Sequence, residues 1–113
     1  MENFLQTKVN DIIVEEVNLG KATRDQAEEF KTILLNHIDN GEVKIIVDLH
    51  QCEFVDSTFL SSLLIALKAA MAKDGVLKIA SPKSEVDEVL EATGMKKVFD
   101  VFPDVQEALK SFS

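Results

Sequence analysis

The stretch VKIIVDLHQCEFVDSTFLSSLL, residues 43–64, decides the fold. Its opening, VKIIVDL, is a short unbroken apolar run, the pattern of a central strand covered on both faces. From residue 58 to 73 the apolar positions recur at helical spacing. Leu60, Leu63, Leu64, Leu67 and Met71 form one stripe, with Phe59 at its edge. The connection HQCEFVD separates the two. Asp56, Ser57 and Thr58 stand where the helix begins, and short oxygen-bearing side chains there cap free backbone N–H groups. With Ser57 as the cap, the residue three positions on is Leu60, so no capping-box partner follows it.

The same grammar extends in both directions. DIIVEEVN, residues 11–18, reads as a strand, and FLQTKV before it as a weaker strand joined through a tight turn at Asn10–Asp11. Residues 23–40 switch to helical spacing, with Ala27, Phe30, Ile33 or Leu34, and Ile38 on one face and Thr23 as cap. GVLKIA, residues 75–80, is a further strand. SPKSEVDEVLEATG follows as a helix with Ser81 as cap, Pro82 in its first turn and Gly94 at its end. KVFDVF, residues 97–102, is a short strand and PDVQEALKSF a last helix. The order β, β, α, β, α, β, α, β, α predicts an α/β fold: a mixed, mostly parallel central sheet of about four to five strands with about four helices. The 113 residues suit one domain spanning 1–113.

Composition narrows the function. Hydrophobic residues make up 46% and charged residues 28%, as in a globular chain. Only 12 Lys and Arg stand against 20 Asp and Glu, a net charge of −8. Nucleic-acid binding relies on cations that displace counterions, so no nucleic-acid partner is expected. Cys52 is the only cysteine, which excludes an internal disulfide. The start MENFLQTKVND lacks a basic, then apolar, leader, and no apolar run approaches a membrane span. A cytoplasmic protein without membrane insertion is expected.

Few residues offer catalysis. A nucleophilic Ser57 would need a base held by a third group, and only His37 and His50 are available; no nucleophile-elbow glycines flank it. His50-x-Cys52 lacks a second Cys/His pair, so no metal site is expected. No glycine-rich phosphate loop occurs, and no cofactor is expected. The acidic pairs Glu15–Glu16, Glu28–Glu29 and Asp87–Glu88 read as solvated faces. A helix start with a hydroxyl does suit one other chemistry. A phosphate on Ser57 would meet free N–H groups and the positive end of the helix dipole, and would place about −1.5 to −2 charge beside Asp56.

The segment FVDSTFL, residues 54–60, resembles the motif F-[MV]-D-S-[ST]-G-L of the STAS domain, and within it of the anti-sigma factor antagonists. SPKSEVDEVLEATGMKKVFDVF, residues 81–102, and the following EAL resemble a later segment of that family, and Gly20 and Ala27 match an earlier one. The resemblance covers nearly the whole chain. It implies a non-enzymatic switch. The unphosphorylated protein binds an anti-sigma factor that is also a serine kinase and so frees a sigma factor. Phosphorylation of Ser57, with Thr58 as the second choice, ends the binding, and a phosphatase restores it. Asp56, Ser57, Thr58, Phe59 and Thr23 are the expected partner-binding residues, in a monomer or weak dimer. Two positions depart from the family pattern. Phe59 replaces a glycine and could lie at the buried stripe's edge or in the docking corner. Thr23, in GKAT, replaces the aspartate of G-x-L-D. An alternative within the same family is a subunit of a lipid-transport ATPase complex or a stress-signalling scaffold, working without phosphorylation.

Overall fold

The computed structural model describes residues 2–113. The strands are β1 (Phe4–Val9), β2 (Ile12–Val17), β3 (Lys21–Ala22), β4 (Lys44–Asp48), β5 (Phe54–Val55), β6 (Val76–Ala80) and β7 (Val101–Phe102). The helices are α1 (Arg24–Asp39), α2 (Ser57–Met71), α3 (Ser84–Ala92) and α4 (Val105–Lys110). Five strands form the main sheet in the order β1-β2-β4-β6-β7, with only β1 antiparallel to its neighbour. The expected mixed, mostly parallel sheet with four helices is therefore present.

Side-chain alternation divides the core. Ile13, Val17, Ile45, Val47, Leu77 and Ile79 point to one face, where Phe30, Leu34, Leu60, Leu63, Val86 and Leu90 of α1, α2 and α3 cover them. Ile12, Val14, Ile46 and Ala80 point to the other, under Ala108 of α4 with Val105, Leu109 and Phe112. Lys78 also faces α4. Its ammonium donates to the Ser111 hydroxyl at 2.7 Å and lies 4.2 Å from the centre of the Phe112 ring, so a buried cation fastens the chain's end to the sheet.

Several expectations about single elements change. Met71 is 59% exposed and Leu64 only partly buried, while Phe59 at the stripe's edge is fully buried together with Ala66 and Ala70. Ser81 does not cap α3: it has φ +62°, its N–H donates to the Phe102 carbonyl, and the helix starts three residues later behind Lys83. Pro82 accordingly lies before the helix. The strand expected over 97–102 shrinks to Val101–Phe102, because a 3₁₀ turn takes up Met95–Lys97. Gly94 does end α3, in the left-handed conformation at φ +77°.

The last turn of α1 is tied to the sheet by an ion-paired histidine. His37 Nε2 lies 2.7 Å from Glu15 of β2, which is buried and not part of a solvated face as expected, and Nδ1 lies 2.9 Å from Glu42. Burial opposes the charged imidazole, but hydrogen bonds to Glu42 and Glu15 outweigh it and raise its pKa above 6.5. Burial also raises Glu15 above its usual range, more than His37 lowers it. A histidine raised in the folded state contributes stability that is complete below about pH 6.5 and is lost as pH rises through the folded value. Glu15 acts in the same direction, with its contribution lost as pH rises through its own raised value. The melting temperature of the wild type, measured relative to that of His37→Gln, is expected to fall from pH 6 to pH 9. A difference that stays flat over this range would show that the imidazolium does not hold α1 down.

Candidate functional site

The residues singled out around Ser57 meet at a corner built by β3 and β5. These two-residue strands pair in parallel, Lys21 with Phe54 and Ala22 with Val55. The Gly20 carbonyl accepts from the N–H groups of Glu53 and Phe54, and the Ala22 carbonyl from that of Asp56. Each strand runs straight into a helix, β3 into α1 and β5 into α2. The two longest helices of the fold thus begin side by side.

Asp56, not Ser57, is the cap of α2. Its Oδ1 accepts from the Phe59 N–H at 2.8 Å, and its Oδ2 accepts from the N–H of Arg24, the first residue of α1, at 2.9 Å. One carboxylate therefore serves the starts of both helices, where free N–H groups and the positive dipole ends favour an anion. Two acceptor oxygens allow this, and a hydroxyl cap at Ser57 could not do it.

With Asp56 in that role, Ser57 becomes the first residue of α2 and its side chain is exposed. Thr58 beside it is exposed as well. Thr23 caps α1. Its hydroxyl accepts from the Asp25 N–H, and the Gln26 side chain accepts from the Thr23 N–H at 3.1 Å, which closes a capping box. That box was legible as the spacing T-x-x-Q. Thr23 is half-buried and its hydroxyl is engaged inside the chain.

Phe59 must be corrected as a partner-binding residue. It is fully buried. Its ring stacks on Phe30 of α1 at 5.5 Å between centres, and Phe30 stacks on Phe4 of β1 at 4.4 Å. The bulk that replaces glycine fills the space between α1 and α2 and offers no surface. The exposed apolar side chains on these two elements are others: Phe54 of β5 and Ile65, about two turns along α2 from Ser57, are both 47% exposed. Phe54 belongs to the motif, but nothing in a two-residue strand signals which way its ring points.

The remaining reactive groups lie elsewhere. Cys52 is buried, and burial, reinforced by the charge of Asp48, pushes its thiol up to about 12. It is no nucleophile at neutral pH. His50, two residues before it, is engaged elsewhere. The imidazole instead bridges Asp48 at 3.0 Å and Glu16 at 3.3 Å, each on a different ring nitrogen. His37 is committed to Glu15 and Glu42. Among the described residues, Ser57 has no hydrogen-bonded histidine, and no helix is long and apolar enough to cross a membrane.

Comparison with known proteins gives the same architecture. The sequence model of the STAS domain matches residues 23–108. BtrV of Bordetella bronchiseptica, provisionally named an anti-sigma factor antagonist, is 27% identical over 93 residues, covering 82% of this chain and 80% of its own. Among solved structures, a protein of Thermotoga maritima with the same provisional description superposes with a TM-score of 0.87 at 24% identity, covering 96% of this chain and 92% of that one. The phosphorylated form of the Bacillus cell-fate determinant SpoIIAA superposes at 0.75 and 18% identity, covering 97% of this chain and 99% of its own. At these identities the solved structures speak for the fold.

Proposed function

Because this chain belongs to the STAS domain family, we propose that it is an anti-sigma factor antagonist whose binding is switched off by phosphorylation of Ser57. The unmodified protein holds an anti-sigma factor with serine-kinase activity and so releases a sigma factor. The kinase phosphorylates Ser57 and lets go, and a phosphatase resets the protein. The chain acts in the cytoplasm as a binding module and performs no catalysis of its own.

One observation carries this reading: Ser57 is an exposed hydroxyl on the first residue of a long helix, and its neighbour Asp56 already does the capping. The hydroxyl has no structural task to lose. The helix behind it is anchored by Leu60, Leu63 and Leu67, so a charge added at Ser57 meets a partner at a fixed point. The name of BtrV agrees with this reading. Asp56 shapes the corner, Thr58 lies within the partner's footprint, and Phe54 supplies apolar contact. The alternative of a scaffold or lipid-transport subunit drew on the two departures from the family pattern, Phe59 for glycine and Thr23 for the G-x-L-D aspartate; the burial of the Phe59 ring removes only the first of these grounds.

The test is capture of an ATP-binding anti-sigma kinase from native-cell lysate, followed by measured affinities for the wild type, Ser57→Ala and Ser57→Asp. An unpaired charge in an interface costs a few kcal/mol, so Ser57→Asp is expected to bind about a hundredfold more weakly, and Ser57→Ala close to wild type. Equal affinities for all three would remove Ser57 from the switch.

A further inference from the structure

We propose that Arg24 is a built-in receptor for the phosphate on Ser57, an inference that rests on Ser57 being the modified residue. The register of the β3–β5 pair sets Ala22 opposite Val55. Two residues further along each strand stand Arg24 and Ser57, and each is the first residue of its helix. Between these levels lie the two caps, Thr23 and Asp56. The Asp56 carboxylate accepts from the Arg24 backbone N–H at 2.9 Å, so the arginine side chain starts one hydrogen bond away from the residue preceding Ser57.

Charge points the same way. Arg24 is the only arginine in the chain. It is exposed, and among the described residues its guanidinium makes no ion pair. Beside an unmodified hydroxyl the guanidinium is paired with none of the carboxylates around it. A phosphoserine brings three acceptor oxygens and about −1.5 to −2 charge, and the guanidinium fork matches such a group with two parallel N–H donors. A lysine at the same place would be a point charge without that fork. The nearby acids Asp25, Glu53 and Asp56 oppose the phosphate, and of the two unpaired cations at this corner, Lys21 and Arg24, only Arg24 carries a guanidinium fork.

Phosphorylation then changes the surface twice. It adds negative charge, and it draws inward the cation that an approaching partner would otherwise meet. Both changes favour release.

The test uses the full chain with phosphoserine placed at position 57 during translation through a reassigned codon. The phosphate is titrated by ³¹P NMR at low salt, in the wild type and in Arg24→Gln. Pairing favours the dianion, so the second phosphate pKa should be about 0.3–0.7 unit lower in the wild type than in Arg24→Gln. The difference should shrink in high salt. Lys21→Gln, which removes a neighbouring charge without a fork, should move the pKa by less than half as much. Glutamine keeps the backbone N–H that bonds Asp56, so the variant retains the fold. Coincident curves for wild type and Arg24→Gln, or an equal shift from Lys21→Gln, would overturn the proposal. Because no kinase is involved, a negative result here leaves the Ser57 switch standing, and loss of the Ser57→Asp effect on binding leaves the pairing measurable.

Discussion

Phe59→Ala lowers the free energy of unfolding by about 3–5 kcal/mol, the cost of removing a buried aromatic ring without collapse of the space it filled. The ring is fully buried and parallel to that of Phe30, with 4° between their planes. Phe30 in turn rests on Phe4. The three rings form a column from β1 through α1 to α2, so removing the last one takes contacts from α1 as well as from α2. Total stability for a domain of this kind is about 5–15 kcal/mol, so this one change can consume a large share of it. Phe59→Gly, which restores the residue of the family motif, adds a further cost of about 1 kcal/mol for glycine in a helix. With a urea slope of about 1.5 kcal/mol/M, the midpoint of Phe59→Ala should fall by roughly 2–3 M. A loss below about 1 kcal/mol would mean that the column is filled by something else.

Gly75→Ala is the second large effect, expected at about 3 kcal/mol or more, because added bulk must push two strands apart. A Cβ at this position would overlap the Val43 carbonyl oxygen and Cβ and stand 2.7 Å from Val43 Cγ2. That same carbonyl accepts from the Val76 N–H and starts the β4–β6 ladder, and the Gly75 N–H is spent on the Ala70 carbonyl. The backbone is therefore held on both sides and cannot step away. Gly94→Ala is the control. Its added Cβ meets nothing, and only its positive φ is strained, at about 1–2 kcal/mol. Thermal or urea unfolding should rank Gly75→Ala well below Gly94→Ala. The reverse order would show that the start of β6 yields easily.

Periodicity made most of the architecture legible. The runs at 43–49 and 75–80 and the helical stripes of α1 and α2 each span enough residues to establish their period. The failures occurred where period carries little information. β3 and β5 have two residues each and exist only because they pair with one another, yet they set the corner. Ser81–Pro82 has the composition of a helix start, but Ser81 extends the ladder towards Phe102 first. Met71 falls on the buried stripe of the wheel, and a wheel gives a direction without saying whether anything packs there. Thr23 caps α1, as its place just before the helical spacing predicts. Ser57 was named as the candidate site and remains so, but the capping role belonged to Asp56, because the second helix that needs the same carboxylate comes from a distant part of the sequence. Phe59 was the ambiguous position, and a buried space next to Phe30 resolved it.

The shared carboxylate also bears on how this motif should be read in other chains. Asp56 is a divalent joint: each of its oxygens holds a different helix. An asparagine would bring one acceptor oxygen to the two N–H groups and no charge, and a serine or threonine hydroxyl is neutral and shorter. In this chain the aspartate has that task whether or not a phosphate is ever attached beside it. The aspartate is thus the signature of a mechanical joint. Evidence for the modification has to come from the groups that have no mechanical task, the free hydroxyl next to it and the unpaired cation across from it.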